Sequence, residues 1–304
     1  MAADADSHTL TMANPRVPYR LSTERAPLAP MIVDGKPKPL MVHVVVNVEH
    51  WQFSEAMPRK IITPPHGIDT EPDVPNFSWA DYGMRCGLPR IMEALASRNI
   101  TASTSFNASV IDAYPRAAET MLAAGWEFIG HGMHQKSLGG AVADEKALIE
   151  ACLEKLRMFT GVRPRGWLSP GLRETHDTPD ILKQCGIEYV CDWVIDDLPD
   201  WLSTKHGPLI AMPYNLEIND SIIYAIEKHS SPEMFQRLAD TVAIFDREVK
   251  RQPRVLAIGL HPHLIGVPHR IGYLERMLDL LAQRDDTVFV QGARIAEWFV
   301  SASP

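Results

Sequence analysis

Cysteine is scarce in this chain. The four present (Cys86, Cys152, Cys185 and Cys191) show no CxxC spacing and no dense framework, which excludes a disulfide scaffold and a thiolate metal cluster and is the usage of a reduced, cytoplasmic protein. No run of eighteen apolar residues occurs, and no basic segment precedes an apolar one at the N-terminus, so neither a membrane span nor a secretory leader is expected. Positive charge is not in excess: the formal net charge is −8, with acids and bases scattered, which argues against nucleic acid as a partner. Also missing are a nucleophile elbow, a phosphate-cradling glycine loop, a catalytic cysteine pairing and any 20–50-residue repeat. What survives these exclusions is a soluble globular protein with a sizeable core, as the 45% apolar content implies.

What is present is alternation. After residues 1–40, rich in Pro and Ala and read as an extended arm that packs over the domain or onto a neighbouring subunit, Met41 to Val48 is apolar on both faces, as a buried parallel strand requires. Residues 54–80 carry too many prolines for helix or central strand and read as a long structured loop, either a cover for a site or a surface excursion. Helical periods follow at 88–97, 115–124, 144–160, 178–185, 232–250, 271–283 and 293–300, separated by short apolar runs at 100–106, 126–130, 166–168, 187–191, 209–214, 255–260 and 288–290. Alternating βα units without a linker imply one domain, 41–304, with a parallel sheet. About seven units favour a barrel.

In a parallel barrel the polar residues at strand ends converge on one mouth. Here they are Glu49-His50, His131-Gly132-Met133-His134-Gln135, Ser169-Pro170-Gly171, Asp192-Trp193, Glu217 with Asp220, and His261-Pro262-His263. His131 and Gln135 are spaced i, i+4, so one helical turn would put both on one face. An acid and several histidines without a nucleophile point to water attacking an electrophilic carbon under general acid–base assistance. On this reading Glu49 is the base, His261 the acid to the leaving nitrogen, and Asp192 orients an imidazole. His131 orients the water or stabilises the developing oxyanion. Trp51, Trp79 and Trp193 are candidates for walls against a flat ring, with Ser169, Glu217 and Arg270 as further substrate contacts. The arm and the proline-rich loop fit a homo-oligomer.

From about residue 41 to 300 the ordered motifs resemble the polysaccharide deacetylase (NodB-homology) family, nearest its PuuE-type allantoinase and cyclic imidase branch. Asn47-Val48-Glu49-His50 stands where the family has Thr-Phe-Asp-Asp, which puts Glu49 at the base and His50 at a metal ligand. His131-Gly132-Met133-His134-Gln135 stands at the His-(Ser/Thr)-x-x-His motif, with Gln135 in place of the second ligand. Leu168-Ser169-Pro170 lacks the Arg of Arg-x-Pro, for which Arg173 is a candidate substitute; Asp192-Trp193 and His261 match the last two motifs. The resemblance to the allantoinase branch also lies in Pro213-Tyr214 followed by Glu217-Ile218-Asn219-Asp220 and in the segment 261–270. It implies a deformed (β/α)7 barrel that hydrolyses a non-peptide C–N bond, most readily by opening a small cyclic amide, imide or ureide. A metal-dependent carbohydrate de-N-acetylase and a non-catalytic ligand-binding barrel are the alternatives. His50, His131 and Gln135 would hold a divalent metal, zinc, weakly or not at all, since a neutral amide is a poor ligand.

Overall fold

The computed structural model describes residues 13–64, 67–137 and 144–303. The first twelve residues of the expected arm, and Pro65-His66 of the proline-rich loop, lie outside the described residues. Strand β1 (Met31–Val33) pairs antiparallel with β2 (Lys36–Lys38). Asp34 and Gly35 between them both take positive φ, the turn that an Asp-Gly dipeptide favours in a two-residue hairpin. The arm is therefore not wholly extended, and its described part packs on its own barrel. Arg16 pairs with Asp180, Arg25 donates to the Pro199 carbonyl, and Trp298 donates to that of Ala29 at 3.0 Å.

The barrel begins with β3 (Leu40–Val48). Helices α1 (Val74–Tyr82) and α2 (Leu88–Ala96), then β4 (Ser103–Phe106), α3 (Val110–Ala113), α4 (Pro115–Ala123), β5 (Glu127–Gly130) and α5 (Glu145–Thr160) follow. Next come β6 (Gly166–Trp167), α6 (Thr178–Gln184), β7 (Tyr189–Val190), β8 (Asp200–Leu202), β9 (Leu209–Ala211) and α7 (Glu233–Glu248). The last are β10 (Arg254–Leu260), α8 (Pro268–Ala282), β11 (Thr287–Phe289) and α9 (Gly292–Ala302). The strand order is β10-β3-β4-β5-β6-β7-β9-β8, with β11 beside the first half of β3. Within this sheet all pairs are parallel except β8 with β9. Asn219 bridges to Gly259 on the free side of β10, so the chain after β9 curls back to β10 and the sheet forms a deformed (β/α)7-type barrel. Among the described residues no helix is long and apolar enough to cross a membrane.

The strands and helices expected beyond residue 41 are all present. Two details differ. Helix α1 lies partly inside the stretch read as loop, because Pro75 sits in its first turn, where a missing N–H costs nothing, and Asp73 caps it. Strand β8 is a short antiparallel edge, which local pattern does not reveal.

Strand β3 shows how the barrel sorts its side chains. Val42, Val44, Val46 and Val48 pack outward in the layer between sheet and helices, whereas Met41 and Val45 belong to the interior cluster with Tyr189, Ile210 and Met212. With a period of two, His43, Asn47 and Glu49 share that interior side. His43 lies at the closed end, its Nε2 2.9 Å from Ser103 Oγ; Ser103 and Tyr189 both donate to Glu127 at 2.7 Å, and Ala293 N at the start of α9 donates to the same carboxylate. Burial pushes His43 down to about 3. The native imidazole is then neutral while the unfolded one titrates near its usual value. Between roughly pH 6.5 and 3 the unfolded chain binds the extra proton, so stability is lost as pH falls, up to about 5 kcal/mol across the window. Urea unfolding at pH 7, 5.5 and 4 is expected to show this loss, and His43→Leu to flatten it. An equal slope in both proteins would assign acid sensitivity elsewhere.

Candidate active site

A cavity of about 590 Å³ opens at the ends of β3, β5, β6, β9 and β10 and is lined by Glu49, His131, Gln135, Tyr214 and His261 among others. Glu49 follows the last residue of β3. Its Oε2 accepts from Trp51 Nε1 at 2.7 Å, and its Oε1 stands 3.6 Å from His261 Nε2. The Glu49 and His261 side chains are only about a tenth exposed. Asp220, fully buried, holds His261 from behind: its Oδ1 is 2.6 Å from Nδ1, and its Oδ2 accepts from the backbone N–H groups of His261 and Ile265. One carboxylate thus fixes both the imidazole and the turn that carries it. Burial alone would depress His261, but Asp220 and then Glu49 outweigh it and the pKa stands above its ordinary value. Because a carboxylate can only accept, Nδ1 carries a hydrogen, and below the raised pKa a second proton sits on Nε2, facing Glu49.

His131 is the opposite case. Its Nδ1 lies 2.5 Å from the Leu168 carbonyl, which can only accept, and burial holds the ring below its usual pKa despite the nearby charge of Glu49. The ring is neutral with its lone pair at Nε2, a buried atom without a partner among the described residues. It can accept a hydrogen bond from water. It cannot donate one to an oxyanion, which removes the second of the two roles read from sequence. The segment 131–137 is a loop rather than a helical turn; Gly132 takes φ +72°, and a Cβ there would come 3.2 Å from Pro170. His131 and Gln135 nevertheless both line the cavity.

Beneath them lies a polar floor. Asn47 Nδ2 donates to Tyr214 Oη at 2.8 Å, Asn219 Nδ2 donates to the same oxygen at 3.2 Å, and Ser105 donates to Asn47 Oδ1. The phenol oxygen accepts twice, leaving its own hydrogen for the cavity. Burial raises the Tyr214 pKa, so that hydrogen stays in place. Gly259 makes the arrangement possible, since a Cβ there would stand 2.5 Å from Asn219 Nδ2 and 2.8 Å from the phenol oxygen. His263, buried and neutral by desolvation, packs edge-on to Trp79 and Trp51 at centroid distances of 4.2 and 5.3 Å.

Several expected site residues lie elsewhere. Asp192 does not meet His261. It accepts from Ser169 N at 2.8 Å and faces Glu174, which in turn accepts from Trp193 Nε1. Asp192 Oδ2 and Glu174 Oε1 are both buried with no donor, and burial beside Asp192 pushes Glu174 up to about 9, so the two carboxyls share a proton. The pair pins the loop at Ser169 from behind. Ser169 is fully buried, with its hydroxyl accepting from Trp167, so it does not reach a ligand. Trp193 is held by Glu174 outside the cavity; Trp79 backs His263 and Trp51, and of the three tryptophans only Trp51 lines the cavity. Glu217 points to solvent, its nearest cation being Arg237 at 3.7 Å. Arg270 stacks 4.1 Å over Tyr224 and donates to the Leu264 carbonyl.

The residues expected to hold a metal do not fit one. His50 turns away from the cavity, its Nδ1 2.8 Å from Ser109 Oγ and its ring against Tyr114 and His134. Gln135 offers a neutral amide where a ligand is needed. Among the described residues no three His, Cys, Asp or Glu side chains are arranged to hold an ion.

Sequence reading placed Asp220 at a strand end but missed its role. It also passed over Asn47, Tyr214, Asn219 and Arg59 as lining residues. Nothing local marks Asp220 as the partner of a histidine; only the register of the chain after β9 against β10 brings it to one 41 positions away.

The chain matches the family model for polysaccharide deacetylases over residues 77–190. A putative polysaccharide deacetylase of Schizosaccharomyces pombe is 22% identical over 243 residues, 74% of this chain and 76% of that protein. The structure of a probable polysaccharide deacetylase from Pseudomonas aeruginosa superposes with a TM-score of 0.77 at 26% identity, covering 89% of this chain and 96% of that one. PuuE allantoinase gives the same TM-score and identity over 88% and 92%. The chain is thus similar to polysaccharide deacetylases over part of its length and superposes along most of it on the barrel of PuuE allantoinase.

Proposed function

We propose that the protein hydrolyses a C–N bond by opening a small cyclic amide, imide or ureide. The observation that carries this reading is the line Asp220–His261–Glu49, a charged imidazole set between an orienting carboxylate and a second carboxylate at the cavity. Glu49 takes a proton from water as its oxygen attacks the ring carbonyl. His131 Nε2 accepts the water's other hydrogen and orients it. His261 Nε2 then gives its proton to the departing ring nitrogen, the bond to carbon breaks, and the product carries a carboxylate and a free amide or urea nitrogen. Tyr214 donates to the carbonyl oxygen as negative charge develops there. No step is routed through a metal, because the residues at the family's ligand positions do not converge.

A cavity of about 590 Å³ suits a single ring, and the similarity to an allantoinase supports a cyclic ureide or its relatives. The test is a hydrolysis screen over succinimide, hydantoin, dihydrouracil, allantoin and N-acetylglucosamine oligomers, with and without chelator, beside elemental analysis. Ring opening that survives chelation is expected. Deacetylation of the sugar with stoichiometric zinc would overturn the reading. For Tyr214→Phe, kcat is expected to fall roughly ten- to a hundredfold with little change in KM, the signature of a bond made mainly in the transition state. An unchanged kcat would remove Tyr214 from the mechanism.

A further inference from the structure

The cavity carries two cations that nothing among the described residues balances. Arg59, half-buried in the loop after β3, and Arg173, exposed just beyond Pro170-Gly171-Leu172, both line it. Neither has a carboxylate partner, a hydrogen bond or an aromatic face among the described residues. Half-buried arginines elsewhere are held: Arg165 by Glu188 and Glu297, Arg237 by Glu227 and Glu233, Arg254 by Glu248. Of the stretches outside the described residues, the two internal ones contain no acidic residue and residues 1–12 contain Asp4 and Asp6. Glu49 is the one acid in the described lining, and it is already engaged by Trp51 and His261. In a chain of net charge −8, a cavity with two unpaired guanidiniums and a protonated imidazole is locally positive. Arg59 is felt inside it: its charge opposes protonation of both His261 and His263.

We infer that the substrate bears a carboxylate, bound by Arg59 and Arg173, while its ring carbonyl lies between Glu49 and His261. This rests on the ring-opening reading above and narrows its substrate class from neutral rings to anionic ones. The guanidinium fork accepts a carboxylate with two parallel hydrogen bonds, which a neutral ring cannot supply. Binding the anion remote from the scissile bond also fixes which carbonyl faces Glu49.

The test compares hydantoin with hydantoin-5-acetate. Calorimetric titration into Glu49→Gln protein, where turnover does not intervene, is expected to show the carboxylate binding roughly ten- to a hundredfold tighter. Adding Arg59→Met and Arg173→Met is expected to erase that difference. Equal affinities, or a preference that survives both substitutions, would overturn the inference. Turnover by the unaltered protein is read separately: hydrolysis of hydantoin without preference for its acetate sinks the anion site alone. Carboxylate-selective binding with no hydrolysis of either ring sinks the ring-opening reading and leaves the anion site standing.

Discussion

Glu49→Gln is expected to lower kcat by about a thousandfold or more while leaving ligand binding within a few-fold of the parent. The substitution keeps the shape and the hydrogen bond from Trp51, since the amide oxygen can still accept. What it removes is the capacity to take a proton from water. General-base assistance is typically worth a hundred- to ten-thousandfold, and here no other carboxylate among the cavity-lining residues can replace it. Because an amide also withdraws the negative charge opposite His261, the imidazole should lose part of the support that raises its pKa. Single-turnover kinetics and calorimetric binding check both parts. Retained turnover would dismiss Glu49 as base; loss of binding along with turnover would make it a ligand contact instead.

Asp220→Asn is expected to be nearly as damaging, and in a way that separates positioning from folding. Asp220 accepts three hydrogen bonds in a fully buried place, and the amide can satisfy fewer of them. It also removes the charge that does most to keep His261 protonated. In the proposed mechanism His261 is the acid, so activity should fall as pH rises through its pKa; lowering that pKa moves the alkaline limb of the rate profile to lower pH. A loss of kcat of about a hundredfold near neutrality is expected, with the shifted limb as the mark of an electrostatic role. Stability has a matching sign. A histidine whose folded pKa is raised contributes stability that is complete below about pH 6.5 and is lost as pH climbs through the folded value. The stability difference between parent and Asp220→Asn should therefore be larger at pH 6 than at pH 9. A melting-temperature deficit that is the same at both pH values, with an unmoved alkaline limb, would reduce Asp220 to a structural residue.

Much of this protein was legible in one dimension. A largely apolar, β-branched strand at 41–48, the alternation of helical periods with short apolar runs, and polar residues at the run ends are local properties, and they carried the fold class, the barrel mouth, and Glu49, His131 and His261 as cavity residues. The aspartate behind His261 was not legible, because what separates Asp220 from Asp192 is which residues each meets across the fold, His261 for one and Ser169 for the other. Nor was the direction in which His50 points: Ser109 and His134 draw it away from Gln135, and they reach it only through folding. Periodicity and composition determine which residues form strands and which strand ends are polar, because those depend on neighbours in sequence. Pairings between charges, the tautomer of His131 and the isolation of Arg59 depend on neighbours in space, so the tertiary structure alone decided them.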